Sequence, residues 1–321
     1  MVETQEQPGT IRHYRRLAKR IVEHHFNQPP SRIVYKRSGR TNYVYAVNHV
    51  EGQFVVRLSP EPEKMEAFRK ELWATQKVRE AGVPSPEVLA VGSIGSDTYM
   101  ITRRVTGSEA THHPRRSHIV HEIGRYAQMI NSIRTTNFGS NFDWTTNGPQ
   151  HTTWAEYLDN ELHVERRLTV FMQHQILSTQ QIEKLQKIID DTRMMRVEPK
   201  LNHGDLRLKN VIVDDDGEIA AIVDWEDCLS TIAPQWELSI SLHDLSIDEK
   251  DLFIEGYGLE SRQVQEMSPL IKAFNIVNYS NAIAHASETS DHKSLAQFRL
   301  RLSGALDLYS LTDAQQGHAS A

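Results

Sequence analysis

The stretch LNHGDLRLKNVIVDDDGEIAAIVDWED, residues 201–227, combines a polar loop with two runs rich in β-branched residues. The runs, 210–214 and 218–224, are separated by Asp and Gly residues, and this pattern is typical of a β-hairpin. The loop that precedes the first run carries His, Asp and Asn side chains between apolar neighbours. The stretch therefore predicts a loop that leads directly into a hairpin.

Antiparallel pairing of the two runs places Asn210, at the start of one strand, beside Asp224, at the end of the other, because neighbouring strands lie about 4.8 Å apart. Asp205 lies in the loop five residues before Asn210. Three oxygen-bearing side chains are thus expected to converge at the open end of the hairpin. Such a set, with room for water and phosphate, suits Mg²⁺. The alternative is that Asp205 and Asn210 are turn and cap residues, the usual role of Asp and Asn in loops.

HGDLRLKN followed by IVDWE resembles the catalytic core of the aminoglycoside phosphotransferase and choline kinase family, whose members are relatives of the protein kinases. The resemblance implies that Asp205 receives the proton of an attacking hydroxyl group, and that Asn210 and Asp224 hold the metal ions that bridge the nucleotide phosphates. It also implies structural support of the loop by His203 and by Glu237. Relatives commonly carry Asp at the position of Glu237.

The first third of the chain adds independent support. SGRTNYVYAV, from residue 38, resembles the family's nucleotide loop between the first two strands, and GVPSPEVLAVG, from residue 82, is also typical of the family. The resemblance covers about 31–245. It implies phosphate contacts from backbone and side-chain donors of the nucleotide loop, which are Ser38, Gly39, Thr41 and Asn42.

Arg57 stands where kinases usually place a Lys that holds the α- and β-phosphates, and Glu71 on the next helix is its natural partner. Arg carries a permanent charge on a planar guanidinium group, so Arg in place of Lys changes the geometry of the phosphate contact as well as its chemistry. We interpret it as a variant active site, and a pseudokinase that binds nucleotide without turnover is the alternative.

The connection TYMITRRVTG resembles the hinge between the two lobes of a kinase, where the backbone of Arg103 and Val105 meets the adenine edge. Val55 and Ile222 are apolar strand residues that either sandwich the purine or belong to the core. Residue type alone does not distinguish a contact with the purine from a position in the core.

The sequence patterns predict a mixed α+β chain. The resemblance implies a bilobal protein-kinase-like fold with a small antiparallel-sheet N-lobe, one main helix, and a larger, mainly helical C-lobe. The N-terminal nucleotide-binding lobe spans 1–104 with a leading helix within 1–30, and the catalytic and acceptor-binding lobe spans 105–321. Helical stretches are expected at about 152–176 and 179–196.

Composition excludes several classes of protein. The chain has 321 residues, a formal net charge of −6 and one cysteine. A nucleic-acid partner would require a large basic surface, and the basic segment 12–20 has the spacing of a solvated helix face. No apolar run is long enough for a membrane span, Cys228 forms no internal disulfide, and the four histidines within 111–121 have no acidic partner that completes a zinc site. We expect a cytoplasmic protein without a nucleic-acid or membrane partner, and the sequence carries no signal for oligomeric state.

The predicted function is transfer of the γ-phosphoryl group of ATP, or of GTP, to a hydroxyl group of a small molecule, with Mg²⁺ as cofactor. An aminoglycoside-type antibiotic is the first candidate acceptor, a metabolic alcohol is the second, and a nucleotide-binding scaffold is the alternative of a different class. Acidic residues that could face a cationic acceptor are Asp227, Glu156, Asp159 and Glu161. The last three also fit an exposed acidic helix face.

Overall fold

The structure is a computed structural model that describes residues 8–36 and 42–307. These residues form two compact units: 8–36, 42–122 and 205–228 make the first, and 123–204 and 229–307 make the second. The sequence-based boundary falls once, after residue 104, whereas the chain leaves the first unit at 122 and returns to it for 205–228. As a border between kinase lobes, the boundary at 104 stays a prediction.

The secondary structure alternates between strands and helices in the first third and is mainly helical afterwards. The strands are β1 Arg32–Lys36, β2 Tyr43–His49, β3 Gly52–Ser59, β4 Val88–Ile94, β5 Asp97–Arg103, β6 Ser108–Glu109, β7 Lys200–Asn202, β8 Val211–Val213, β9 Ile219–Ile222 and β10 Leu229–Thr231. The α-helices are α1 Pro8–Phe26, α2 Lys64–Glu80, α3 Arg116–Asn131, α4 Trp154–Asn160, α5 Val164–Gln173, α6 Thr179–Asp190, α7 Gln235–Ser241, α8 Ile247–Tyr257, α9 Ser261–Asn278, α10 Ser280–Glu288 and α11 His292–Asp307.

The first unit is built on a five-stranded antiparallel sheet with the order β1-β2-β3-β5-β4. Helix α1 packs on one face because its apolar residues recur every three or four positions, and Tyr14, Leu17 and Ile21 are buried against Tyr45 and Phe54. Burial of each large apolar side chain stabilises this layer by about 1.5–3 kcal/mol. The Arg and Lys residues of 12–20 are exposed, as the helical spacing predicts.

The other face of the sheet carries the side chains that matter for the site. Val55 pairs with Thr102, and Arg57 pairs with Met100, on the central strands β3 and β5. Alternate residues of a strand point to opposite faces, so these four residues lie on one face. Phe54 and Ile101, which pack with α1, lie on the opposite face. Helix α2 contacts this face through Phe68, whose ring lies 5.3 Å from the guanidinium carbon of Arg57.

A second, three-stranded sheet of the first unit contains the predicted hairpin. Its order is β6-β8-β9, and β8 and β9 pair antiparallel. The turn is closed by Asp214, whose N–H donates to the carbonyl of Glu218 at 3.1 Å and whose Oδ1 accepts from the N–H groups of Asp216 and Glu218. The pairing of β6 with β8 explains why residues beyond 104 belong to the first unit.

The second unit is a helical assembly with the two-stranded sheet β7-β10. Its core contains edge-on and tilted aromatic rings: Trp154 and Trp236 each contact Phe274, with ring centroids 5.8 and 5.2 Å from that of Phe274. Helix α3 approaches α8 so closely at Gly124 that a Cβ there would lie 2.1 Å from the carbonyl oxygen of Phe253. Glycine is therefore required at this crossing.

The helical stretch predicted for 152–176 is interrupted. Helices α4 and α5 are separate because the chain turns at His163, which has a φ of 51°. A non-glycine residue in the left-handed region cannot continue an α-helix. The stretch predicted for 179–196 ends earlier, since α6 stops at Asp190.

The predicted fold class is confirmed: an antiparallel-sheet region with one main helix α2 precedes a mainly helical part, in a mixed α+β chain. Among the helices in 8–36 and 42–307, none has the length and apolarity that a bilayer crossing requires.

Candidate functional site

The hairpin brings Asn210 and Asp224 to one end, where the backbone joins them. Val211 pairs with Ile222, and the N–H of Val223 donates to the carbonyl of Asn210 at 2.9 Å. Asp224 then leaves the strand with φ 70° and ψ 58°, the left-handed conformation. Such a conformation is uncommon outside glycine and is frequent at functional sites. It turns the chain into the short 3-10 segment Trp225–Asp227.

Asp205 is joined to the same end through Asn210. The side-chain amide nitrogen of Asn210 donates to Oδ2 of Asp205 and to its carbonyl oxygen, both at 2.9 Å. Asn210 is buried, so this double contact fixes the loop against the start of the hairpin. The structure thus brings the three residues that the sequence predicts to the same end of the hairpin: Asp205 and Asn210 by side-chain bonds, and Asp224 by the backbone pairing of its neighbour Val223.

Two basic residues of the loop surround the Asp205 carboxylate. Nε of Arg207 donates to Oδ1, and Nζ of Lys209 lies 2.7 Å from Oδ2. Burial alone would raise the pKa of Asp205, but the two cations outweigh burial and hold the pKa below its ordinary value. Asp205 is therefore ionised at neutral pH.

Asp224 has the opposite electrostatic environment. Burial raises its pKa to about 6, and the carboxylates of Glu226 and Glu71 add to the rise, whereas Arg57 opposes it. Like charges that cannot separate disfavour ionisation of each member. Among the described residues, Glu71 and Glu226 each have a basic partner, Arg57 and Lys64, whereas Asp224 forms no ion pair.

Arg57 and Glu71 form the predicted pair. Their side chains are in direct contact and mostly buried, and Arg57 also approaches the sulfur of Met100 at 3.8 Å. Burial alone would lower the pKa of Arg57, but the charges of Glu71, Glu226 and Asp224 outweigh it and raise the pKa further. The guanidinium group is thus held between helix α2 and the acids that follow the hairpin.

The donor set at the end of the hairpin fits a divalent cation. The amide nitrogen of Asn210 is committed to Asp205, which leaves its Oδ1 as the atom for coordination. Asp224 has an elevated pKa because of its burial and its like-charged neighbours, and a bound cation would favour its ionised form. Oxygen ligands from one amide and one carboxylate suit Mg²⁺.

The structure describes only part of the predicted nucleotide loop. Ser38, Gly39 and Thr41 lie outside the described residues, whereas Asn42 stands directly before β2. The Oδ1 atom of Asn42 is buried and has no hydrogen-bond partner among the described residues.

The predicted base-binding residues lie on the sheet and the hairpin. The N–H of Arg103 donates to the carbonyl of Glu87 at 2.8 Å, and the side chains of these two residues form an ion pair. Arg103 therefore has its carbonyl, not its N–H, to offer to a base. Val55 shares the sheet face of Arg57, and Ile222 is fully buried on β9. No backbone partner among the described residues accepts from the N–H of Val105.

His203 and Glu237 meet in the second unit, and both are fully buried. The N–H of His203 donates to Oε2 of Glu237 at 2.6 Å, and the hydroxyl of Ser241 donates to Oε1 at 3.3 Å. Glu237 thus bonds the backbone two residues before Asp205, with Glu in the place of the usual Asp. A support role for His203 and Glu237 in catalysis stays a prediction.

The acids suggested for an acceptor mostly have internal partners. Glu156 accepts from the N–H groups of Thr152 and Thr153 and completes a capping box at the start of α4. Asp159 pairs with Arg193 at 2.6 Å. Glu156 and Asp159 thus each have partners within the protein.

Glu161 connects the end of α4 to a loop. Its Oε1 accepts from the N–H and the hydroxyl of Ser140 at 2.8 and 2.6 Å, and its Oε2 lies 3.3 Å from His151. Asp227, in the first unit, is exposed. An acceptor contact of these acids stays a prediction.

Sequence analysis missed four charged residues of this site. Arg207 and Lys209 pair with Asp205, and Lys64 at the start of α2 pairs with Glu226 at 3.1 Å. The spacing of Asp205 and Lys209, four residues apart in the quoted loop, could have indicated their contact. The contact between Lys64 and Glu226 joins residues 162 positions apart, so no local pattern indicates it.

Comparison with protein-family models and known proteins tests the family resemblance that the sequence motifs indicate. The model of the phosphotransferase enzyme family matches residues 35–269. Hygromycin-B 4-O-kinase from Escherichia coli is 26% identical over 172 residues, which are 51% of this chain and 49% of that protein. The chain thus matches about half the length of this curated relative.

Solved structures share the fold at low sequence identity. Aminoglycoside phosphotransferase APH(4)-Ia, as a ternary complex with ADP and hygromycin B, superposes with a TM-score of 0.68 at 18% identity over 90% of this chain and 97% of that one. The GDP and kanamycin complex of APH(2")-IIia gives 0.62 at 13% identity over 91% and 99%. The family model covers most of the chain and includes every residue of the hairpin site, so the chain belongs to the phosphotransferase enzyme family.

Proposed function

We propose that this protein is a kinase that transfers the γ-phosphoryl group of ATP to a hydroxyl group of a small molecule. The observation that carries the proposal is the convergence of Asp205, Asn210 and Asp224 through the 2.9 Å bonds of Asn210 to Asp205 and of Val223 to Asn210. An ionised carboxylate next to an amide, with a second, partly buried carboxylate at the same end of the hairpin, suits phosphoryl transfer.

Asp205 would act as the catalytic base. Its ionised carboxylate receives the proton of the acceptor hydroxyl while the acceptor oxygen bonds to the γ-phosphorus. The bond between the γ-phosphorus and its bridging oxygen breaks, and ADP leaves with that electron pair. A low pKa keeps Asp205 in the form that accepts a proton at neutral pH.

Asn210 and Asp224 would hold Mg²⁺, which neutralises charge on the nucleotide phosphates when it is bound. Arg57, fixed by Glu71, would fork over oxygens of the α- and β-phosphates. The carbonyl of Arg103 and the N–H of Val105 would contact the edge of adenine. Ser38, Gly39, Thr41 and Asn42 would contribute phosphate donors.

The acceptor would be an aminoglycoside-type antibiotic. Support comes from family membership together with the similarity to hygromycin-B 4-O-kinase, whose name states that it phosphorylates such a compound. A metabolic alcohol is the second acceptor class in the test, and GTP is the second donor because one structural relative is a GDP complex.

The test is an acceptor panel with ATP and GTP in the presence of Mg²⁺, read out by the mass shift of the phosphorylated product. It includes aminoglycosides, amino alcohols and sugars, with Asp205→Asn as the inactive variant and Asp216→Asn, in the exposed turn of the same hairpin, as the matched control. A phosphorylated aminoglycoside that depends on Asp205 and not on Asp216 supports the proposal. Nucleotide binding without product on any acceptor would instead identify a nucleotide-binding scaffold.

A further inference from the structure

Helix α2 presents one row of side chains to the candidate site. Lys64, Phe68 and Glu71 are spaced by four and three residues, so they lie on the same face of the helix. Phe68 and Glu71 both contact Arg57, the first by its ring and the second by its carboxylate. Lys64 instead contacts Glu226, with 3.1 Å between Nζ and Oε2. One face of α2 thus holds a cation of the sheet and an acid that follows the hairpin.

Lys64 occupies a position that the helix itself disfavours. It is the first residue of α2, and the amino-terminal end of a helix carries partial positive charge, which repels a cation. The side chains of Lys64 and Glu226 are also mostly buried, at 19% and 24% exposure. Among residues 8–36 and 42–307, Glu226 is the one acid within ion-pair distance of Lys64. The lysine is therefore stabilised here by this acid.

Glu226 also acts on Arg57. Burial alone would lower the pKa of Arg57, and the charge of Glu71, followed by that of Glu226, raises it. Glu71 orients the guanidinium group, whereas a second carboxylate in contact with Arg57 would occupy N–H groups that phosphate oxygens need. The segment that carries Glu226 is fixed to the hairpin, because the indole N–H of the buried Trp225 donates to the carbonyl of Ile222 at 2.9 Å. Glu226 therefore stays near Arg57.

The three acids and two cations of this group are paired so that Arg57 has one carboxylate partner. Glu71 pairs with Arg57, and Glu226 pairs with Lys64, while Asp224 forms no ion pair among the described residues. Without Lys64, Arg57 would be the one cation in a group of three carboxylates. The unpaired carboxylate of Glu226 would be attracted to Arg57, and it would repel the phosphates of a nucleotide.

We propose that Lys64 is a positioning residue of the nucleotide site: its ion pair with Glu226 keeps this carboxylate away from Arg57, so that the guanidinium group is available to the nucleotide phosphates. The inference rests on the proposed function, in which Arg57 binds the α- and β-phosphates. Lys64 itself contacts no phosphate in this arrangement. Its effect on nucleotide affinity therefore depends on the presence of the Glu226 carboxylate.

The experiment is a double-mutant cycle on the affinity for ADP, which carries both phosphates assigned to Arg57, measured by isothermal titration with Mg²⁺ present. Lys64→Met is expected to weaken ADP binding by about fivefold or more, because an unpaired carboxylate then acts on Arg57. Glu226→Gln keeps the shape of the side chain without its charge, and its affinity is expected to stay within about twofold of the wild-type value. The combined variant is expected to match Glu226→Gln.

Lys77→Met is the matched control. Lys77 lies in the last turn of the same helix and pairs with Glu80 at 2.9 Å, so its substitution also removes one positive charge and one ion pair from α2. Unchanged affinity for ADP is expected. Lys64→Arg, which keeps the pair with Glu226, is expected to retain wild-type affinity.

Lys64→Gln is a second variant without the charge, and its expected result is that of Lys64→Met. It keeps a hydrogen-bond donor for Glu226, so the inference stays testable if the methionine variant does not fold. Circular dichroism shows which variants are folded.

Four outcomes oppose the inference, and they are distinguishable. Equal weakening by Lys64→Met and by Glu226→Gln would assign the pair a structural role, because either substitution breaks it. Weakening by Lys64→Met that persists in the combined variant would mean that Lys64 contacts the nucleotide directly. Unchanged or increased affinity of Lys64→Met would remove Lys64 from the site.

The proposed function survives these three results. Failure of the wild-type protein to bind ADP is the fourth outcome, and it would overturn the proposed function and the inference together. A loss of affinity in Lys64→Met that Glu226→Gln reverses supports the inference.

Discussion

Two regions of the molecule are rich in acidic residues: the open end of the hairpin, and helix α4 with its flanking residue Glu161. The carboxylates of the two regions differ in their hydrogen-bond partners. At α4, Glu156 caps the helix, and Glu161 holds Ser140 through two hydrogen bonds. At the hairpin, Asp224 has an elevated pKa, with Glu226 and Glu71 as like-charged neighbours. The acids of α4 have the donors that they need, whereas Asp224 does not.

This difference distinguishes structural acids from candidate functional ones. A partly buried carboxylate normally receives hydrogen bonds or an ion pair, because uncompensated burial is costly. Among the described residues, none donates a hydrogen bond to Asp224, yet three acids of the site surround it. A carboxylate without such a partner is suited to bind a cation, and a carboxylate that is already bonded is suited to stabilise the fold.

The largest expected effect follows from removal of the base. Asp205→Asn is expected to lower kcat about 10³-fold, because the amide cannot accept the hydroxyl proton, while the affinity for nucleotide changes little. Steady-state kinetics on the acceptor found in the panel and titration of AMP-PNP measure the two quantities. A variant with full turnover would remove Asp205 from catalysis.

Asp224→Asn is expected to weaken Mg²⁺-dependent AMP-PNP binding about 10- to 100-fold, because the cation loses its carboxylate ligand. Titration with and without Mg²⁺ separates this effect from direct contact with the nucleotide. Asp216→Asn, in the turn of the same hairpin, is the control. Equal affinity of the variant and the wild type in Mg²⁺ would show that Asp224 is not a ligand.

Glu161→Ala tests the other side of the comparison. The substitution removes the acceptor for both donors of Ser140 and is expected to lower the free energy of unfolding by about 1–3 kcal/mol. The KM for the acceptor is expected to stay within about twofold of the wild-type value. Urea denaturation and acceptor kinetics provide the two measurements. An elevated KM without loss of stability would place Glu161 at the acceptor, as the sequence suggested.

The sequence predicts the hairpin site well because its geometry is local. The β-rich runs, the turn and the spacing from Asn210 to Asp224 lie within 27 consecutive residues, and period-two pairing alone brings the ends together. The pair of Arg57 with Glu71 follows from the resemblance.

The parts that sequence reasoning missed depend on contacts between distant segments or on backbone conformation. Asp159 meets Arg193 across 34 residues, and Lys64 meets Glu226 across 162. No sequence pattern indicates the left-handed conformation of Asp224, because Asp occupies ordinary loop conformations equally well. An acidic helix face therefore looks the same in sequence whether its carboxylates are free or already bonded.

The smallest expected effect is a pH dependence of stability without Mg²⁺ or nucleotide. The pKa of Asp224 is raised to about 6 in the folded chain, above its ordinary value, so the folded state binds more protons than the unfolded state between these two values. Stability contributed by protonated Asp224 is present below pH 4 and is lost as pH rises through 6. The loss is about 1–2 kcal/mol. Asp224→Asn, which never ionises, is expected to lack this component, and the difference between its unfolding free energy and that of the wild type at pH 5 and pH 7 measures it. A difference that stays constant across this interval would mean that the charge near Asp224 is already compensated, and the contrast with α4 would then disappear.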